Sequence, residues 1–370
     1  MAEMRILAIN PGSTSTKIAL FDDETKLMEK SVSHDKALTS KPVADQLPER
    51  AAFIEQAIRE AGYSMEGITA FAGRGGGLIN CEGGVYPVTE RLLEDARIGK
   101  GALHPACLGS QIADAFAKRY GGQAFVVNPP DVDELELEAR LTGLKTIFRK
   151  SHIHALNEKE VGIRYAASVD AKYEDLNLII AHIGGGITVT AHKKGKMIDS
   201  SNNIKGDGPM APTRAGTIPA VFLIDECFSG KYTQQEMIDR IQRKGGWMEH
   251  LGTDDGREVA RRIAAGDKYA KLVLDTTIHQ IAKNIGAYAT VLRGDVDAIL
   301  LTGGLAHDEY LVNELIKRVS FLGKVIVYPG EFEMEALAAG ALRVLQGKEA
   351  CKTYTGDPTW ELSMLEKLKK

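Results

Sequence analysis

The sequence predicts an α/β protein of two domains that repeat one plan. Three observations carry this. Strand-like and helix-like segments alternate along the chain, the pattern of twisted mixed sheets with helices on their faces. At 370 residues the chain exceeds one typical core. One theme also occurs twice, over residues 5–33 and 178–200: an apolar strand, a glycine-rich turn, a second strand, a turn and a third strand. The repeat is one of topology, not of sequence identity.

In the first copy, strands are expected over residues 5–10, 18–22 and 27–33. Residues 48–62 carry Phe53, Ile54, Ala57, Ile58 and Ala61 at helical spacing, with Gly62 as the stop. A short strand over 68–72 runs into Arg74-Gly75-Gly76-Gly77. Helices over 88–99 and 105–120, the latter closed by Gly121-Gly122, precede a strand over 124–127 and a long helix over 157–173. The second copy places strands over 178–183, 187–191 and 197–200. Helices over 220–228, 233–244, 255–265 and 267–291 follow. A strand over 296–302, a helix over 310–319, a strand over 325–328 and a final helix over 334–345 complete the pattern. That last helix is expected to return to the first unit. Domain one then holds residues 1–155 plus 334–370 and domain two holds 156–333, with a cleft between them.

Composition excludes several classes. Hydrophobic content of 44%, charged content of 26% and a formal charge of -4 are those of a soluble globular protein. Lys and Arg are scattered, so no nucleic-acid partner is expected. No run of 18 apolar residues predicts a membrane span, and the N-terminus does not read as a signal peptide. Cys81, Cys107, Cys227 and Cys351 are widely spaced, which suits reduced thiols in the cytoplasm. The outlying number is glycine, 38 residues, clustered after strand-like runs where backbone turns tightly or approaches a ligand.

Three of those clusters suggest phosphate binding. In Asn10-Pro11-Gly12-Ser13-Thr14-Ser15-Thr16-Lys17, Gly12 permits a turn and Ser13, Thr14, Ser15, Thr16 and Lys17 supply hydroxyls and a charge. The spacing is not that of a P-loop, and a polar hairpin turn without a ligand is the structural alternative. Gly184-Gly185-Gly186 follows an apolar strand, with Thr188 as a candidate donor to phosphate. Gly303, Gly304 and Leu305 follow a third strand, at the carboxyl edge where α/β sheets hold ligands. Arg74 and Arg214 sit in Gly/Pro-rich loops and suit bidentate binding of carboxylate or phosphate. His182 lies in an apolar strand beside the glycines, and His154, with His152 near it, precedes a helix. Magnesium candidates are Asp131, Asp133 and Glu134, and Glu331, Glu333 and Glu335; most of these acids also fit plain helix-start charges.

Taken together, these motifs resemble the acetate and butyrate kinase family, most closely its butyrate kinase branch, within the acetate kinase–sugar kinase–Hsp70–actin superfamily. The resemblance runs over essentially the whole chain. It rests on residues 10–17 and 181–186, on Asp207-Gly208-Pro209, on Cys227-Phe228-Ser229-Gly230-Lys231 and on residues 300–307. It implies a duplicated actin-like (ribonuclease H-like) fold with ATP between the domains. The implied reaction is reversible transfer from ATP to butanoate with Mg2+, giving ADP and butanoyl phosphate, usually in a homodimer or higher homo-oligomer. It implies that Asn10 lies near the transferring phosphoryl and that Arg74 contacts the acid. His154, His182 and Arg214 then act on the phosphoryl, and Glu333 is the magnesium-associated glutamate. Acetate kinases carry an aspartate where this chain has Asn128, so either Asp133 takes its part or Asn128 keeps a neutral one. Another short acid (isobutanoate, propanoate or acetate) and a non-enzymatic ATP switch of the actin/Hsp70 type are the alternatives.

Overall fold

In the computed structural model, which describes residues 3–367, the first half begins with β1 (Arg5–Pro11), β2 (Ser15–Asp22) and β3 (Thr25–Ser33). Next come α1 (Lys36–Thr39), α2 (Leu47–Glu60), β4 (Ala70–Gly73), β5 (Val85–Pro87), α3 (Glu90–Ile98), α4 (Leu108–Tyr120) and β6 (Gln123–Val127). Then α5 (Ala155–Ser168) leads to β7 (Asn177–Ile183), β8 (Ile187–Lys193) and β9 (Lys196–Ser200). Five helices follow: α6 (Ala220–Cys227), α7 (Gln234–Gln242), α8 (Trp247–Leu251), α9 (Gly256–Ala264) and α10 (Lys268–Val291). The chain closes with β10 (Ala298–Gly303), α11 (Glu309–Val319), β11 (Val325–Pro329), α12 (Glu333–Leu345) and α13 (Leu362–Lys367).

Two compact units emerge. The first comprises residues up to Asp133 together with those from Phe332 on; the second is Glu134–Glu331. Of the expected first domain, residues 1, 2 and 368–370 lie outside the described residues. The boundary differs from the expected one, because residues 134–155 belong to the second unit. Polar contacts hold them there. Glu134 accepts from Met197 N (2.8 Å), Glu136 N donates to Ile198 O (2.8 Å), and Arg149 reaches Asp199 (2.7 Å) and Asp207 (3.0 Å).

The first sheet runs β3-β2-β1-β4-β6-β5 and the second β11-β10-β7-β8-β9. Both are built alike: an antiparallel meander whose first strand pairs in parallel with a later one. The duplication extends to detail. A register shift falls between Leu20 and Phe21 in one meander and between Ala191 and His192 in the other. Counted from these, Asn10 opposite Lys17 corresponds to His182 opposite Thr188.

Each sheet is apolar where it is covered. Leu7, Ile9, Ile18 and Leu20 pack with Ile54, Ile58, Ile112 and Phe116 of α2 and α4. Ile179, Ala181, Val189 and Ala191 pack with Leu274, Ile278, Ile281 and Ile285 of α10. The α12 helix packs on β1, β4 and β6. The helix expected over 157–173 runs instead over Ala155–Ser168; Asp170 takes a left-handed φ of 57° and closes it.

The approach of α4 to β4 requires glycine on both sides. A Cβ on Gly73 would sit 2.1 Å from Gly109 O, and one on Gly109 would sit 1.9 Å from Arg74 O. Backbone cannot yield as a side chain can. Gly109→Ala is therefore expected to lower stability by at least about 1–3 kcal/mol, the range for overpacking a tight interior. The urea midpoint measures it, and an unchanged midpoint would show that helix and strand do not meet this closely.

Candidate functional site

In the first unit, Asn10 and Arg74 converge on Glu333. Asn10 is the penultimate residue of β1, and Arg74 N donates to Ile9 O (2.8 Å), so sheet register brings the two side by side. Asn10 Nδ2 donates to Glu333 Oε2 at 2.7 Å, and the Arg74 guanidinium is ion-paired to Glu333 Oε1. Glu333 opens α12 and is about one-fifth exposed.

The first loop is braced from beneath by a residue that sequence reasoning missed. Arg50 is fully buried and donates from Nη1 to Gly12 O (3.0 Å), Ser15 O (3.2 Å) and Thr16 Oγ1 (2.9 Å). The signal was a charge on the apolar stripe of α2, four residues before Ile54. Gly12, Ser13, Thr14 and Ser15 remain on the accessible side. Thr16 does not: its hydroxyl is enclosed between Arg50 and His34 Nε2 (2.8 Å). Lys17 does not serve the loop either, since it lies in β2 and pairs with Glu29 at 2.7 Å. Beside the loop stands a second missed residue, His104. Its Nδ1 accepts from Ala106 N (3.1 Å), and its Nε2 lies 3.5 Å from Ser13 Oγ. Burial, then the Arg74 and Arg50 charges, lower its pKa.

The two candidates for the first-unit acidic position both make hydrogen bonds to the surrounding fold. Asn128 takes a positive φ of 38° and accepts from Gly84 N at 2.7 Å, locking the turn after β6. Asp133 is buried and takes the Asn80 amide at 3.3 Å, while its N–H goes to Cys81 O and its carbonyl accepts from Thr359 Oγ1. Asp131 has an enclosed Oδ2 without a partner among the described residues. Burial pushes its carboxyl up to about 7, against the Leu78 backbone and Arg74.

In the second unit the predicted residues form one cluster. The rings of His154 and His182 stack at 3.8 Å, 9° from parallel. His154 Nδ1 meets Thr188 Oγ1 at 2.8 Å, and His182 Nδ1 accepts from Asn157 Nδ2 at 2.9 Å. His182 Nε2 lies 3.6 Å from Glu331 Oε1. The Arg214 guanidinium rests on Gly186, where a Cβ would come within 2.0 Å of Nη1. Its loop is tied to the glycines by Thr213 Oγ1 donating to Gly185 O at 3.0 Å. Arg214 Nε is buried without a partner among the described residues, and burial lowers the pKa of the guanidinium. Gly185 and Gly304 face open space, as a cradle for a ligand does. Gly303, at a φ of 96°, passes so close to Ile183 O that a Cβ would sit 2.4 Å from it. Leu305 lies against Gly256. Thr188 departs from its expected part, being buried with its hydroxyl donated to Glu158 rather than left for phosphate.

No helix among the described residues is long and apolar enough to cross a membrane. The fold is shared with solved kinases. An acetate kinase from Porphyromonas gingivalis is 19% identical over 93% of this chain and 100% of its own, with a TM-score of 0.74. A propionate kinase from Francisella tularensis subsp. tularensis SCHU S4 is 21% identical over 91% and 98%, at 0.70. An acetate kinase from Entamoeba histolytica is 18% identical over 91% and 98%, at 0.73. At such identities the likeness speaks for the fold, which is the duplicated two-domain fold expected from the sequence. The model of the Acetokinase family matches residues 139–331, more than half of the chain and nearly all of its second unit. The chain belongs to the Acetokinase family.

Proposed function

We propose that this protein transfers the γ-phosphoryl group of ATP to a short aliphatic carboxylate and back, with butanoate as the acid its motifs favour. Family membership makes it a phosphotransferase of the short-carboxylate kind. The choice among acids is finer than that. The likenesses reported above are to acetate and propionate kinases, which supports the broader reading over butanoate alone. The observation that carries the proposal is the cluster of Arg214, His154 and His182 around Gly184-Gly185-Gly186: one cation and two imidazoles gathered on bare backbone.

On this reading the nucleotide lies along Gly184, Gly185, Gly186, Gly303, Gly304 and Leu305, and the acid is held by Arg74 with Asn10 beside it. The acid needs no general base, because a carboxylate of pKa roughly 4 to 5 is already ionised at neutral pH. What remains is alignment and neutralisation of charge spreading over the phosphoryl oxygens, the work of Arg214, His154 and His182. Magnesium, when bound, neutralises phosphate charge. Glu333 fits it as a single carboxylate ligand, since magnesium takes one or two carboxylates and completes its shell with water and phosphate.

Two outcomes are expected. Arg74→Ala raises the KM for the acid far more than that for ATP, and kcat/KM over the C2 to C5 acids peaks at butanoate. Methylene selectivity is worth about 1–3 kcal/mol, so the peak is broad; a maximum at acetate would remove butanoate from the proposal. ADP release at one rate with and without acid would end the kinase reading. Gly186→Ala should leave the melting temperature nearly unchanged, because the clash is with the end of a flexible side chain. It should still cost roughly 10²- to 10³-fold in kcat by displacing Arg214, the scale of one lost preorganised donor. Arg214→Ala should match it, and wild-type kcat in either folded variant would remove Arg214 from the chemistry.

A further inference from the structure

Arg74 heads a stretch that has no helix or strand of its own. Residues 74–80 follow β4 and include Gly75, Gly76 and Gly77. Glycine gives up more conformational freedom on ordering than any other residue, so a fixed Arg74 needs its loop fastened. Backbone bonds do part of this: Arg74 N donates to Ile9 O (2.8 Å), and Gly101 N donates to Gly77 O (3.2 Å). The Asp131 side chain holds the Leu78 backbone. The next fastener comes from the far end of the sequence. Ile79 N donates to the Tyr354 hydroxyl at 2.8 Å.

Tyr354 lies in the stretch between α12 and α13, which crosses the first unit without helix or strand. Lys352 N donates to Val85 O (2.8 Å), Thr359 N to Asn80 O (3.1 Å) and Thr359 Oγ1 to Asp133 O (2.8 Å). A backbone N–H can only donate, and a phenol has one proton. Tyr354 therefore accepts from Ile79 and gives its own proton to Asp95 Oδ2 at 2.8 Å. Burial raises the pKa of Tyr354, which keeps that proton in place. Tyr354 and Asp95 are both buried, and Asp95 pairs in turn with Arg91 (2.9 Å) and Lys100 (3.5 Å). The Tyr86 ring meets that of Tyr354 edge-on at 6.4 Å.

The three glycines between Arg74 and Leu78 do not act as a slack hinge. A Cβ on Gly75 would come 2.5 Å from Val126 Cγ1, one on Gly76 3.1 Å from Ala106 Cβ, and one on Gly77 2.7 Å from Cys107 Sγ. Backbone packed this closely passes a shift along its length. We propose that Tyr354 is a positioning residue for the acid: its hydroxyl, oriented by Asp95, fixes the loop that aims the Arg74 guanidinium. This rests on the reading of Arg74 as the contact for the acid. One C-terminal segment then serves Arg74 twice, since Glu333 at the start of α12 takes the guanidinium and Tyr354 beyond its end holds the loop. The effect is confined to the acid, because the glycines assigned to the nucleotide lie in the other unit.

The test is Tyr354→Phe in the full-length protein, which keeps the ring and its packing on Tyr86 and removes only the hydroxyl. Ile79 N–H and Asp95 Oδ2 then lose their shared partner, and a buried group left unpaired forces its surroundings to move. The KM for the acid should rise roughly 10-fold, short of the roughly 10²-fold that a misplacement of about 1 Å can cost. The KM for ATP should hold. Hydrogen–deuterium exchange of the peptide over residues 74–81, measured without substrates, should be faster in the variant. Ile58→Val, a core change in the same unit, is the control for lost stability: it should lower the melting temperature and move neither readout. A wild-type KM for the acid in Tyr354→Phe, unchanged exchange, an equal rise in both KM values, or the same KM shift in Ile58→Val would overturn the proposal. So would rapid exchange over 74–81 in the wild type, a measurement that needs no variant. Absence of acid-dependent turnover in the wild type would instead overturn the kinase reading, while exchange still decides whether Tyr354 holds the loop.

Discussion

Each unit depends on the register between the first strand of its meander and the parallel strand beside it. In the first, Ile9 lies opposite Gly73, which puts Asn10 and Arg74 next to one another at the carboxyl edge. In the second, His182 lies opposite Thr302, which brings Gly303 and Gly304 alongside Gly184. A one-residue slip would turn every side chain to the other face. Burial forbids the slip, because β7, β8 and β10 are almost wholly enclosed. The apolar runs that build the core therefore also aim the polar residues at their ends. Asn10 and His182 hold the same place in the two copies, a neutral amide in one and an imidazole in the other.

Both edges rest on buried ionisable groups. Arg50 supports the first loop and Glu158 the second cluster, and each acts through a threonine, Thr16 or Thr188. Burying a charge costs several kcal/mol unless hydrogen bonds replace water. Arg50 meets that demand with carbonyls, a hydroxyl and Gln46, which accepts from Nε (3.1 Å) and Nη2 (2.8 Å). Glu158 meets it less completely, with Thr188 at one oxygen and His192 at long range from the other.

The sequence made the strands and long helices legible because their apolar runs are the core itself, and the glycine clusters legible because packing alone gives no reason for them. Two kinds of feature escaped it. One is the exact start of a strand. Thr16 and Lys17 read as loop residues, but β2 begins at Ser15, so their side chains belong to the sheet. The other is polar residues that pack. Asn157, Glu158, Lys159 and Glu160 are all buried in α5, although four polar residues in a row read as a solvated helix start. The domain boundary failed for a similar reason, since residues 134–153 hold no helix or strand and join their unit through polar contacts that no periodicity reports.

If the proposed function holds, the Arg74–Glu333 pair bears on how an anionic substrate enters at modest cost. An unpaired guanidinium at this edge would be hydrated and mobile, and binding an acid would have to desolvate and order it. Here Glu333 already does both, with Asn10 holding the second carboxylate oxygen. On the proposed reading the incoming acid exchanges one carboxylate for another at Arg74. The charge-assisted geometry is kept, and only the partner changes. Glu333 is then released to a cation, so acid and magnesium favour one another through a shared residue instead of competing for it. On that reading a glutamate in this position both preorganises the arginine and couples the two ligands, which a neutral residue of the same shape would not do.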